Sequence, residues 1–274
     1  MAWIVSGSQG LRVFGQPDEK REKQVSLPDA GPLCAAAGQI YCACRKDDLI
    51  WRLDGKTFAP SALFAGGPGV CQLLEDGGKL FALCADADSL LMLDASSGAP
   101  LIINRAGVCP RSMALDAKNG VLAVAGGGCG ETLLLSVSTL EVIRRLPMPG
   151  MAFAAALQNG TVYSLVLTDT LDALLVTVPP SGVRQTLPLE GMPGLLLCRP
   201  HALLCACTGC LYIVSLDGTR ILAERRVPGR PGRALISGGE LLLLDPLSES
   251  VYDLNLAGGH WRLFCRDAQD MIEG

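Results

Sequence analysis

The feature that most constrains this chain is a repeat of about 40 residues. Six short apolar runs each follow a turn signal: IYCAC (40–44), LFALC (80–84), VLAVA (121–125), VYSLV (162–166), LLCAC (203–207) and LLLLD (241–245). Their first residues stand 38 to 41 positions apart, and a seventh run, AWIVS (2–6), starts 38 residues before Ile40. A short polar loop and a second run follow each of the six, as in LIWRLD (49–54), LLMLD (90–94) or TLLLS (132–136). A tight turn such as Asp54-Gly55, Ser97-Gly98 or Gly258-Gly259 then leads to a third run, VIRRL (142–146) or WRLFC (261–265). One more run, such as SMALD (112–116) or AFAAA (152–156), precedes each turn signal. No run keeps the 3.6-residue period of a helix over three turns. Asn-Gly between apolar runs, as at Asn119-Gly120 and Asn159-Gly160, marks a hairpin, because both central residues of a type I′ turn need positive φ.

Four short strands per period predict an all-β, seven-bladed β-propeller with four antiparallel strands per blade, a single domain over residues 1–274. The ring is expected to close inside one blade. The segment from about Asp267 to Gly274 supplies that blade's innermost strand, with Gly274 at the inner hairpin, and the N-terminus supplies its other three. Closure of this kind pairs strand edges that would otherwise invite aggregation.

The stretches YCACRKDDLIWRLDGKTF (41–58) and FALCADADSLLMLDASSGAP (81–100) resemble the YVTN-type repeat of the wider WD-repeat-like propeller group. That repeat has an apolar strand, a short loop, a Val/Leu-rich strand ending in Asp, and a turn near Ser/Thr-Gly. The resemblance runs over nearly the whole chain and implies a fold rather than a function. The lactonase-like propellers of the wider group supply an enzymatic alternative, and none of their site residues is matched here.

Composition narrows the function. Hydrophobic residues make up 49% and aromatics only 5%, so the core must be built from Leu, Val, Ile, Ala and Cys. A net charge of −4 argues against a nucleic-acid partner, which needs a basic face to displace counterions. The basic cluster Arg225, Arg226, Arg230 and Arg233 is broken by Pro228, Gly229, Pro231 and Gly232. No stretch reaches the ~18 continuous apolar residues of a membrane helix. The opening MAWIVSGSQGLRVFG lacks a basic leader and a cleavage site, so a cytoplasmic protein with free thiols is expected.

The densest of the twelve cysteines lie in CACTGC (205–210). Aligned on the repeat, Cys42 and Cys205 share a slot, as do Cys44, Cys84 and Cys207, and the residue before the first slot is large, as in Trp3, Tyr41, Phe81 and Tyr163. This reads as packing, with Cys as a small hydrophobe where blades converge. Residues i and i+2 of a strand stand about 6.8 Å apart. Thiolates on one zinc lie only ~3.8 Å apart, given bonds of about 2.3 Å, so a strand Cys-x-Cys clamps a metal poorly. Cys210 is expected in the following loop. Metal binding and redox regulation are the competing readings; no metal and no cofactor is expected.

In a propeller, the loops from second to third strand and the linkers between blades gather on one face, and binding residues favour such loops. The first set carries Asp47, Asp86 and Asp169, with Asp48, Asp88, Glu131, Asp172 and Glu249; the linkers carry Arg105, Arg111, Arg230 and Arg233. Guanidinium forks suit carboxylate or phosphate. The leading expectation is therefore a non-enzymatic platform for a protein or peptide partner. The alternatives are a hydrolase acting on a small anionic metabolite such as a sugar lactone, or a remnant propeller with a structural role. His201 and His260, the two histidines, are expected in turns on the opposite face, which leaves no catalytic set to assign.

Overall fold

The computed structural model describes residues 2–15, 22–44, 46–237, 239–256 and 259–273, with Glu22 described by its backbone alone. The expected turn residues Gly238, Gly258 and Gly274, and Arg45 of the second-to-third-strand loop at 45–48, lie outside the described residues. Among the described residues every regular element is a strand, and no helix is long and apolar enough to cross a membrane.

The strands form seven four-stranded antiparallel sheets, the blades of a β-propeller. Blade one holds β1 (Trp3–Gly7), β2 (Gly10–Phe14) and β3 (Glu22–Val25). Blade two is β4 (Ala30–Ala36), β5 (Gln39–Cys44), β6 (Leu49–Asp54) and β7 (Pro60–Ala65). Blade three is β8 (Val70–Asp76), β9 (Lys79–Cys84), β10 (Ser89–Asp94) and β11 (Pro100–Arg105). Blade four is β12 (Pro110–Asp116), β13 (Val121–Gly126), β14 (Glu131–Ser136) and β15 (Val142–Pro147). Blade five is β16 (Met151–Gln158), β17 (Thr161–Leu167), β18 (Ala173–Val178) and β19 (Gln185–Leu189). Blade six is β20 (Pro193–Cys198), β21 (Leu203–Cys207), β22 (Cys210–Val214) and β23 (Ile221–Arg226). Blade seven is β24 (Arg233–Ser237), β25 (Glu240–Asp245), β26 (Ser250–Asn255) and β27 (Arg262–Arg266). The last strand, β28 (Asp270–Glu273), pairs with β1 and completes blade one in the order β28-β1-β2-β3, which is the closure expected from the repeat count. By backbone contacts the chain divides into two compact units, one of residues 1–87, 91–103 and 233–274, the other of 88–90 and 104–232.

The second strands of blades two and five are apolar on both faces because each face meets a neighbouring blade. In β5, Cys42 packs with Ile4 and Leu11 of blade one, while Tyr41 and Ala43 pack with Leu80 and Cys84 of blade three. In β17, Val162 and Val166 join Ala123 and Ala125 of blade four, while Tyr163 and Leu165 join Leu203 and Cys205 of blade six. The large slot also bolts blades together. Tyr41 Oη donates to the Ala95 carbonyl at 3.0 Å, and Tyr163 Oη donates to the Leu216 carbonyl at 2.8 Å, each on the turn of the next blade.

The Asp that ends the third strand caps the turn after it. Asp54 Oδ1 accepts the Thr57 and Lys56 N–H groups at 2.7 and 3.0 Å. Asp94 Oδ1 accepts the Ser97 and Ser96 N–H groups at 2.8 and 3.1 Å, along with both hydroxyls. Gly98 closes this turn at φ +73°, with the Phe64 ring 2.1 Å from where a Cβ would stand, so only glycine fits.

Candidate functional site

In blades two, three, four and six the loop from second to third strand and the linker to the next blade are tied together by a backbone hydrogen bond. The Gly66 N–H donates to the Asp48 carbonyl at 2.7 Å, Ala106 to Asp88 at 2.9 Å, Met148 to Gly130 at 2.7 Å and Val227 to Gly209 at 3.0 Å. Two of the loop acids, Asp88 and Glu249, add to this fastening. Asp88 Oδ1 accepts the Cys109 N–H at 2.7 Å, Glu249 Oε1 accepts from Gln269 Nε2 at 2.6 Å, and Glu131 pairs with Arg145 at 2.7 Å. Asp47, Asp86 and Asp169 are exposed. Asp47 accepts from the Cys44 thiol at 3.6 Å, and the Asp86 carboxyl fills the space beside Gly69.

The four arginines have different fates. Arg233 forks onto Asp270, with Nε 2.8 Å from Oδ1 and Nη2 3.2 Å from Oδ2, and Asp270 is only 2% exposed. Arg105 is exposed at the end of β11. Arg111 and Arg230 come together on one ring. The Arg111 guanidinium carbon lies 5.2 Å from the centroid of Phe153, and that of Arg230 lies 5.4 Å from it. Among the described residues neither guanidinium has a carboxylate or hydrogen-bond partner.

The local backbone explains this cluster. The innermost strands of blades two to six carry a β-bulge near their start. In blades three to six one residue is skipped in the pairing: Cys71, Arg111, Phe153 and Gly194. A bulge re-aims the extra side chain away from the sheet register. Glycines then make room for the arginine stems. A Cβ on Gly127 would stand 3.0 Å from Arg111 Nε, and one on Gly194 would stand 3.2 Å from Arg230 Cγ. Phe153 was hidden in the sequence because AFAAA reads as one more packing run. Its repeat slot, shared with Arg111, was the available signal.

The same end of these blades exposes apolar side chains. Val108 in the linker before β12 is 51% exposed, Leu171 in the loop before β18 is 60% exposed, and Met151 at the start of β16 is also exposed. Leu171 holds φ at 65°, a left-handed conformation that costs a non-glycine residue roughly 1–2 kcal/mol.

The cysteine slots are filled as packing predicts. Cys42, Cys84, Cys205 and Cys207 are fully buried among aliphatic and tyrosine side chains, and all twelve cysteines are free thiols. Burial pushes the thiols of Cys42 and Cys205 far up and that of Cys207 up to about 12, so these sulfurs stay protonated. Cys210 departs from expectation. It opens β22 opposite Cys207, because Thr208-Gly209 with Gly209 at φ 80° suffices for a two-residue hairpin turn. Among the described residues no three His, Cys, Asp or Glu side chains are arranged to hold a metal ion. His201 and His260 are exposed in the first-to-second-strand turn of blade six and the third-to-fourth-strand turn of blade seven.

No protein-family model matches this chain, and no curated protein does. Solved structures match it as a fold. A protein of Bacteroides uniformis ATCC 8492, provisionally named a 6-phosphogluconolactonase, superposes with a TM-score of 0.77 at 9% identity, covering 99% of this chain and 98% of that one. The Pan2 WD40 domain of Neurospora crassa gives 0.66 at 12% identity, covering 96% and 85%. Apo AztD of Citrobacter koseri gives 0.66 at 13% identity, covering 98% and 97%. The likeness to the WD-repeat-like propellers is therefore one of architecture.

Proposed function

We propose that this protein is a non-enzymatic recognition platform, a single propeller domain that receives a protein or peptide partner on the loop-bearing end of blades four to six. The observation that carries this reading is the pair of guanidiniums on Phe153, without a carboxylate partner among the described residues, at an end that also exposes Val108, Met151 and Leu171. Charge with apolar surface around it suits a polypeptide better than a small polar metabolite. The acid–base groups support the same reading. Both histidines sit in turns at the other end of their blades, and the perturbed carboxylates Asp54, Asp94, Asp116 and Asp217 are all shifted down, away from general-acid behaviour. Twelve free thiols suit the reducing cytoplasm.

The test is affinity capture from native lysate under reducing conditions, with wild type beside the Arg111→Ala/Arg230→Ala double variant. A stoichiometric partner is expected that is lost in the variant and binds again as a purified component. Hydrolysis of a sugar lactone by wild type, with no partner captured, would instead establish the enzyme alternative.

A further inference from the structure

We propose that Arg111 and Arg230 anchor an extended acidic peptide segment through two carboxylates spaced one residue apart; this rests on the platform reading above. Both guanidinium carbons lie over the Phe153 ring, so they can be no farther apart than the sum of 5.2 and 5.4 Å. In an extended peptide, side chains at i and i+2 point the same way about 6.8 Å apart. Two flexible acidic side chains at that spacing reach a pair of forks within this limit, and each fork donates two parallel N–H···O bonds to a carboxylate.

The site is prepared for this ligand. The ring attracts both cations electrostatically and fixes where they stand. Gly127 and Gly194 seat the two stems. The linker before Arg111 is held by the Asp88 carboxylate through the Cys109 N–H. Arginines positioned beforehand lose less side-chain freedom when a ligand arrives, which raises affinity without adding a contact. The exposed apolar residues at this end then meet the residues flanking the acidic pair.

The experiment is fluorescence anisotropy with three labelled seven-residue pools. One is X-X-Glu-X-Glu-X-X with X drawn from Ala, Leu, Val and Ser; the second has Gln in place of Glu; the third has a single Glu. The Glu-x-Glu pool is expected to bind about tenfold more tightly than the single-Glu pool, and the Gln pool least. Arg111→Gln and Arg230→Gln are each expected to weaken the Glu-x-Glu pool about tenfold and to abolish its advantage over the single-Glu pool. Phe153→Leu, which keeps bulk but removes the π face, weakens it about threefold. Matching thermal melts confirm that the variants fold. Equal binding of Glu and Gln pools, unaffected by the arginine variants, overturns the acidic-pair proposal and leaves the platform standing. Binding of citrate or inorganic phosphate through the same arginines, with no pool bound, overturns both.

Discussion

Single residues in this protein take their roles from their place in the repeat. Cys205 and Cys42 sit in one slot and have one fate, full burial in an aliphatic core. The thiol is protonated there because a buried thiolate would lose its hydration. In the native state at pH 8, an aromatic disulfide reagent is therefore expected to react first with the exposed Cys109 and Cys129, and with Cys42, Cys205 and Cys207 only after unfolding. Prompt reaction at Cys205 would show that the core opens in the native state. Cys205→Leu should cost about 1–3 kcal/mol in a urea melt by overpacking, whereas Cys205→Ala should be the milder change. Arginines show how far one residue type can diverge. Arg233 is spent on a buried carboxylate, while Arg111 and Arg230 rest on a ring and, among the described residues, meet no carboxylate.

At the scale of elements, the repeated turn is the unit that sets strand register. Asp94 carries it in blade three, and hydrogen bonds from the Ser96 hydroxyl and the Ser97 N–H hold its carboxyl down at about 2. An unfolded Asp titrates near 3.9. Its stabilising contribution is therefore complete above about pH 4 and disappears as the pH falls toward 2. Thermal melts between pH 5 and 2 should show Asp94→Asn losing less stability on acidification than wild type. Parallel acid profiles would mean that the carboxylate does not anchor the turn. The innermost strands carry the second recurring device, the bulge, and it lifts Arg111 and Phe153 out of register.

Over the whole chain, blade one is built from both termini and is pinned through Asp270. Its carboxylate accepts from Arg233 of blade seven and from the Leu33 N–H of blade two at 2.8 Å. Ser6 of the same blade donates to the Gly31 carbonyl at 2.6 Å. One carboxylate on the closing strand thus holds the innermost strands on either side of it. Asp270→Ala leaves Arg233 and a buried N–H without their acceptor. It should lower stability by about 2–3 kcal/mol in chemical denaturation, below the cost of a fully buried pair because Arg233 is partly exposed. Alanine at exposed Asp169 is the control and should change little. Equal effects of the two substitutions would remove Asp270 from the closure.

The architecture was legible in the amino-acid sequence because its signals are local and repeated. Apolar runs separated by turn signals recur seven times with small variation, a strand-ending Asp marks the third strands of blades two and three, and each repetition corrects errors in reading the others. The closing strand followed from arithmetic on the same period, and the cysteine slots followed from alignment of the repeats. Cys210 was misplaced because a two-residue turn and a longer loop differ by too little sequence to separate. The candidate site was legible only in part. Arg111 and Arg230 read as linker arginines in the sequence, but so does Arg233, and nothing local distinguishes a guanidinium that will meet a buried carboxylate from one that will not. Asp270 is 37 residues from Arg233. Phe153 is 42 residues from Arg111 and 77 from Arg230. Those pairings depend on which strands become neighbours and on where a bulge turns a side chain, and only the folded chain decides both.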